Sequence, residues 1–210
     1  MDVTRLDVMG KGDVTRAQVL AVGLDITSEV GLEGLTIGKL ADRAGMSKSG
    51  LYAHFASKED LQCQVLDAAS ERFADAVLRP AFTAPRGLPR LERVMELWML
   101  WETDELPGGC PFVAAAVDFD DREGPVRDRV VFYLERLMTE IEKAVRMAID
   151  EGHFRADVDT RAYAFEAWGV ILAYQQWARM LKTQDAADRA RAALAGLNGR
   201  ASARETATVR

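Results

Sequence analysis

The sequence predicts an all-α protein, with a small N-terminal three-helix domain followed by a larger helical domain. Apolar residues recur every three or four positions along most of the chain, which is the period of a helix buried on one face. Strand-like alternation and the Asn-Gly or Asp-Gly signals of hairpins are absent. Prolines cluster within residues 80–89 and again within residues 107–111, and these clusters predict breaks between helices.

Length and composition suit one or two folded domains. The chain has 210 residues, of which 49% are hydrophobic and 29% charged, and this balance allows a sizeable core. No apolar run approaches the ~20 residues that span a bilayer, and residues 1–11 lack the apolar stretch of a signal peptide. We therefore expect a cytoplasmic protein without a membrane partner.

Four helices are expected in the first part of the chain. The first covers residues 13–30 and is followed by a glycine, the residue that most often terminates a helix. Thr36, Ser47 and Ser57 each precede a helical segment and can accept a hydrogen bond from its first turn. Gly45 then provides the turn between the second and third helices.

Longer helices follow the first proline cluster. Apolar stripes centred near Trp98, Leu137 and Trp168 mark three of them, and an alanine-rich stripe near Ala190 marks the last. Residues from Asn198 onward are polar, and we expect them to fray.

The charge distribution is uneven. The net charge is −6 and the pI is about 5.1, which by itself argues against binding nucleic acid. Residues 36–58, however, contain four basic side chains and one acidic side chain. A local basic patch of this kind can still bind DNA phosphates.

The same segment carries a specific motif. Residues 36–61 read TIGKLADRAGMSKSGLYAHFASKEDL, two short helices joined by a glycine turn, which is the pattern of a helix-turn-helix. It resembles the N-terminal DNA-binding region of the tetracycline-repressor (TetR) family in Leu40-Ala41, Ala44-Gly45, Leu51-Tyr52, His54-Phe55 and Ser57-Lys58. The rest of the chain resembles that family in helical architecture and length.

The resemblance implies that the second short helix, residues 48–54, enters the major groove. Lys48 and Ser49 would face base edges, and Lys58 would hold a phosphate. The expected DNA-binding residues are Thr36, Lys39, Ser47, Lys48, Ser49, Gly50, Tyr52, His54 and Lys58.

The resemblance also implies a homodimer, because a palindromic operator requires two recognition helices related by a two-fold axis. The last two helices are the expected interface. Ala186, Ala190 and Ala193 give a small-residue face, and the helix of residues 165–181 is apolar on more than one side.

A small-molecule effector is expected to bind in the second half of the chain, which contains all four tryptophans. Aromatic and methionine side chains suit an adaptable apolar pocket for an apolar or aromatic compound with few polar groups. The expected lining is Met95, Trp98, Met99, Trp101, Phe112, Phe119, Trp168 and Gln175.

Domain boundaries follow from these assignments. We expect a flexible arm at 1–12, a DNA-binding domain at 13–60, a connecting helix at 61–80, a ligand-binding and dimerisation domain at 81–197 and a flexible tail at 198–210. The chain is then a dimeric one-component transcriptional regulator, a repressor released from its operator by a ligand.

Other classes of protein lack support. The sequence contains no P-loop, dinucleotide-binding glycine turn, serine-hydrolase elbow or zinc-protease motif, so we expect neither an enzyme nor a cofactor. Two cysteines and two histidines without metal-ligand spacing predict no metal site. Two alternatives remain: a helix-turn-helix protein without a small-molecule ligand, and a thiol-based sensor using Cys110 at a predicted helix start.

Overall fold

The computed structural model describes residues 11–203, with side chains described from residue 16 onward. Within that range helices are the only regular elements, apart from one isolated bridge between Phe154 and Ser202. The all-α prediction is therefore confirmed. None of the helices in this range is both long and apolar enough to span a bilayer. Most of the expected arm, residues 1–10, and the end of the expected tail, residues 204–210, lie outside the described residues.

Ten α-helices are described. In chain order they are α1 (Lys11–Val30), α2 (Ile37–Ala44), α3 (Lys48–Tyr52), α4 (Lys58–Phe73), α5 (Arg79–Ala81), α6 (Leu88–Thr103), α7 (Pro111–Asp118), α8 (Pro125–Asp150), α9 (Thr160–Gln175) and α10 (Ala186–Ala201). A π-helical turn, Ala74–Leu78, follows α4, and another, Gln176–Met180, follows α9. The third helix ends at Tyr52, earlier than its predicted end at His54, because the His54 N–H already turns back to the Leu51 carbonyl oxygen.

The chain forms two compact units. Among the described residues, the first contains 11–71 together with Cys110–Val131, and the second contains Arg72–Gly109 and 132–203. The predicted ligand-binding domain at 81–197 is therefore not one block. Its middle part belongs with the helix-turn-helix, because α7 packs against α1 and buries Phe112 and Ala115.

The first unit is organised around the side chains that α2, α3 and α4 turn inward. Leu40, Leu51 and Phe55 are at most 1% exposed, and Leu61 and Val65 of α4 are fully buried. These apolar contacts fix α1–α3, here called the reading head, against the start of α4.

The second unit has an aromatic core. Trp98 and Trp101 are each 1% exposed, and the Phe73 ring meets both edge-on, with centroids 5.9 and 5.3 Å away. Edge-to-face pairs at these distances are favourable beyond the area they bury. Around this core α9 packs on α10 and on α6.

The last helix differs from its prediction in two respects. It extends to Ala201, past the expected start of the tail at Asn198, because Asn198 is anchored by side-chain hydrogen bonds to Tyr163 and Glu92. Ala186 and Ala190 are 4% and 5% exposed, so most of each side chain packs inside the protomer. Ala193 is exposed, as the predicted interface requires.

Candidate DNA-binding and effector sites

The helix-turn-helix is held by its own side chains. The Thr36 hydroxyl accepts a hydrogen bond from the Lys39 N–H, and the Ser47 hydroxyl accepts one from the Gly50 N–H. Gly45 ends α2 in the left-handed conformation, with φ 66°, which a glycine adopts without a steric penalty. These caps are the predicted ones. Each cap uses one lone pair of the hydroxyl oxygen, so Thr36 and Ser47 can still form a further hydrogen bond with DNA.

At the start of α4, two side chains accept hydrogen bonds from the backbone. The Ser57 hydroxyl accepts from the Asp60 N–H at 3.0 Å, while the Asp60 carboxylate accepts from the Ala56 N–H at 2.9 Å. Hydrogen bonds from the Gln64 side chain and from that Ala56 N–H lower the pKa of Asp60. These two hydrogen bonds help to fix the direction in which α4 leaves the reading head.

The outer face of α3 is exposed and polar. Lys48, Ser49 and Tyr52 all point away from the core, and Tyr52 is 62% exposed. Within the described part of the chain Lys48 forms no ion pair, and the Tyr52 hydroxyl has no hydrogen-bond partner. Lys48 lies beside Gly38 of α2, whose missing side chain leaves room for the lysine stem. The structure thus brings these predicted contacts together on one surface.

The other predicted basic contacts already have protein partners. The Lys39 ammonium donates to the Gly34 carbonyl oxygen at 3.1 Å. Lys58 pairs with the Glu33 carboxylate at 3.0 Å. His54 is half-buried beside the Phe55 ring, with centroids 6.3 Å apart.

Arg43 pairs with Glu29 through two hydrogen bonds of 2.6 and 2.9 Å. The Arg43 guanidinium lowers the pKa of the Glu29 carboxyl, and Glu29 in turn raises the pKa of Arg43. The Arg43 side chain therefore joins α2 to α1 and does not extend away from the reading head.

Four of the expected effector residues lie together on α6. Met95, Trp98, Met99 and Trp101 are each at most 3% exposed. Trp168 of α9 is half-buried and stacks on Trp98, with centroids 5.5 Å apart. Five predicted lining residues are therefore placed in or against the aromatic core of the second unit.

Phe112, Phe119 and Gln175 are placed differently. Phe112 and Phe119 belong to the first unit, where Arg122 lies over the Phe119 ring at 5.0 Å. Gln175 lies beside Gly109, since a Cβ atom placed on that glycine would be 3.2 Å from the side-chain nitrogen of Gln175. The predicted lining therefore does not belong to a single unit.

Sequence reasoning missed a buried acid in the aromatic core. Glu102 is 0% exposed, and its carboxylate accepts a hydrogen bond of 3.1 Å from the Trp98 indole N–H. The indole N–H of Trp101 is buried without a hydrogen-bond partner among the described residues. The sequence does place Glu102 on the buried face of this helix, because positions 91, 95, 98 and 102 share one face of α6.

A groove between α8 and α9 opens beside this core. Its volume is about 690 Å³. Leu134, Met138 and Phe165 give it apolar walls, Trp168 forms part of the lining, and Glu142 and Arg161 are among its polar residues. Trp168 therefore contacts the groove as well as Trp98.

Cys110 is 5% exposed at the start of α7. A reactive sensor thiol is normally accessible and in an electropositive environment. Burial of the side chain gives the thiol-sensor alternative no support from geometry.

Comparison with known proteins matches both halves of the chain to one family. Residues 19–62 match the model of "Bacterial regulatory proteins, tetR family", and residues 87–194 match "Tetracyclin repressor-like, C-terminal domain". The repressor KstR2 of Mycobacterium tuberculosis is 29% identical over 162 residues, which cover 72% of this chain and 75% of that protein. Tetracycline repressor class A from Escherichia coli is 45% identical over 53 residues, only 23% of its length.

Solved structures share the fold over nearly the whole chain. A TetR-family regulator from Chloroflexus aurantiacus is 27% identical, has a TM-score of 0.76 and covers 91% of this chain and 96% of its own. One from Cytophaga hutchinsonii reaches a TM-score of 0.82 at 17% identity, covering 94% and 99%. The family models together span both halves of the chain. The chain is a helix-turn-helix transcriptional regulator, and it belongs to the TetR family of bacterial regulatory proteins.

Proposed function

We propose that this regulator is a cytoplasmic repressor that binds a palindromic operator as a homodimer and leaves it when a small molecule occupies the second unit. One observation carries the DNA-binding part. The outer face of α3 presents an exposed Tyr52 and an unpaired Lys48, while Lys39 and Lys58 are held by the protein. An exposed aromatic ring beside a free cation is suited to contact base edges and phosphates in a major groove.

Lys48→Ala is expected to change base preference at particular operator positions, by about 1–3 kcal/mol at each base pair that Lys48 contacts. The reason is that a groove-facing cation distinguishes base edges, whereas a phosphate contact does not. Affinity for a panel of duplexes with single base changes would measure it. Arg43→Ala is the matched control, because its side chain is engaged by Glu29, and it should leave the preference unchanged. A uniform loss over all duplexes would reassign Lys48 to the backbone.

The proposed dimer surface is an exposed stripe on α9 and the π-helical turn that follows it. Phe165 and Met180 are each 75% exposed, and Trp177 is 39% exposed. Gly169 and Ala173 lie between them at helical spacing and are also exposed. An apolar stripe of this length on a water-soluble surface favours contact with a second copy of the chain.

Three glycines strengthen this assignment. Gly169, Gly196 and Gly199 are exposed within α9 and α10, and a Cβ atom at any of them would come no nearer than 3.9 Å to another atom of the protomer. Each glycine costs a helix about 0.5–1 kcal/mol relative to alanine. Within the described protomer, no contact requires a glycine at these three positions. A partner helix that approaches closely would require one. These residues replace Ala186 and Ala190 as the proposed contacts.

The proposed effector is an apolar or aromatic compound with one or two polar groups. The buried tryptophans supply the apolar surface, while Glu102 and the Trp101 indole N–H can orient polar atoms. One structural neighbour, AibR, was solved in complex with isovaleryl coenzyme A and operator DNA; it has a TM-score of 0.67 and is 22% identical. AibR is a protein of this fold that binds a small molecule and operator DNA, and this supports the proposal that the present chain binds both kinds of partner.

Release then follows from differential binding. The effector shifts the protein towards the state that it binds better, in which the two reading heads no longer match the operator. A ~100-fold loss of operator affinity requires a coupling of roughly 2.7 kcal/mol, and operator DNA must weaken effector binding by the same factor.

A further inference from the structure

The turn that joins α1 to α2 is held from outside the reading head. This segment, residues 31–35, is here called the α1–α2 turn. The buried side chain of Gln62 donates to the Leu32 carbonyl oxygen at 2.9 Å, and Lys58 donates to the Glu33 carbonyl oxygen at 3.1 Å. Two successive backbone carbonyls of the turn are therefore fixed by α4.

Glu33 adds a second set of contacts through its carboxylate. One oxygen accepts from Lys58 at 3.0 Å and the other from Arg122, in the segment after α7, also at 3.0 Å. Both cations lower the pKa of Glu33, with Lys58 giving the larger effect. Arg122 is in turn placed by the Phe119 ring, over which its guanidinium lies at 5.0 Å.

The last residue of α7 also reaches the turn. The Asp118 carboxylate accepts from the Glu33 N–H at 3.5 Å and would lie 3.0 Å from a Cβ atom at Gly31. Gly31 has a φ of 76°, which a residue with a side chain rarely adopts. The α1–α2 turn is thus built to accept the segment that follows α7, and both belong to the first unit.

We propose that Glu33 is a positioning residue for DNA recognition, which fixes the reading head to the start of α4 and to the segment after α7. Lys58 and Arg122 act as its cationic partners. The proposal rests on the proposed operator binding through α3. It adds a role within the protein to the expectation from the sequence that Lys58 holds a phosphate.

The contacts of Lys58 leave room for both roles. Two of its three ammonium N–H groups donate to Glu33, and the third is available to a phosphate. An isolated exposed ion pair contributes little. Here, however, the Glu33 carboxylate joins three separate segments of the chain. Its removal therefore affects the position of the turn before α2 as well as the energy of a single ion pair.

The test compares two duplexes of equal length. One is selected by the wild-type protein from a random-sequence pool, and the other is a duplex that the selection rejects. Affinities of the wild type, Glu33→Gln, Arg122→Gln and Lys58→Ala are measured for both over about 50–200 mM salt, because the slope of affinity against salt counts phosphate contacts.

Positioning predicts a loss confined to the selected duplex. Glu33→Gln and Arg122→Gln should weaken that complex about tenfold, since residues of one ion-pair network are coupled. Binding to the rejected duplex and the salt slope of Glu33→Gln and Arg122→Gln should stay as in the wild type. Arg122→Lys, which keeps the cation, should restore most of the affinity.

Other results overturn the proposal. If Lys58→Ala weakens both duplexes equally, Lys58 acts only as a phosphate contact and not as a positioning partner of Glu33. Tighter binding by Glu33→Gln would make Glu33 a competitor of DNA, and unchanged binding would give it no role. Lys143→Gln, which breaks an exposed pair with Glu140 on α8, is the control for surface charge. A wild type that selects no duplex would instead refute the proposed DNA binding itself.

Discussion

Gly196→Leu is expected to leave the protein monomeric and to lower its affinity for the operator at least ~100-fold. The substitution fits the protomer, because the nearest atom to a Cβ there is the flexible end of Arg200 at 3.9 Å. Leucine also favours the helical state by close to 1 kcal/mol over glycine. The loss of operator affinity must then arise because the new side chain obstructs the partner helix. A monomer has one reading head, and it lacks the gain in affinity that a second, linked reading head provides.

Light scattering after size-exclusion chromatography measures the assembly, and fluorescence anisotropy with the selected duplex measures the affinity. Gly169→Leu tests the same surface from α9. Ala195→Leu maps the edge of the surface on α10, because Ala195 is also exposed, lies one helical turn before Gly199 and lines the groove towards Glu92 and Arg191. A dimeric Gly196→Leu protein that binds the operator normally would remove α10 from the interface.

Phe55→Ala is expected to destabilise the reading head by about 3–5 kcal/mol. Phe55 is 1% exposed and lies between α3 and α4, so its truncation leaves a cavity in the core of the first unit. A loss of this size is a large fraction of the stability of a small domain. DNA binding is lost with the fold.

Hydrogen exchange read by mass spectrometry checks this locally. Peptides from α1–α3 should lose protection, whereas those from α9 and α10 should keep it. Tyr52→Ala is the control: its ring is 62% exposed, so the fold should change by less than about 0.5 kcal/mol while operator binding falls. Equal protection in Phe55→Ala and the wild type would show that the core assignment is wrong.

The features that the sequence predicted are local ones. Thr36, Ser47 and Ser57 cap the next turn of chain within three residues, and Gly45 ends the helix that it follows. Each depends on residues that are adjacent in the sequence, so spacing alone is sufficient to identify it. The apolar core of the reading head followed for the same reason from helical periodicity.

The features that it did not predict depend on distant partners. Lys58 meets Glu33 across 25 positions and Arg122 meets Glu33 across 89, and no local pattern marks either pair. Ala186 and Ala190 form a small-residue stripe whichever way α10 faces, so the stripe could not show that its inner side packs in the protomer. Glu102 had the right helical position, but an acid in a tryptophan-rich stripe was not expected to be fully buried.

The spacing of the two operator half-sites tests the central claim most directly, that two reading heads held in one dimer read one operator. Insertion of about five base pairs between the half-sites of the selected duplex rotates them onto opposite faces of the DNA, since the helical repeat is about 10–10.5 base pairs. We predict that the affinity of the wild-type protein for this duplex falls to the level measured for the rejected duplex. Unchanged affinity after the insertion would contradict it.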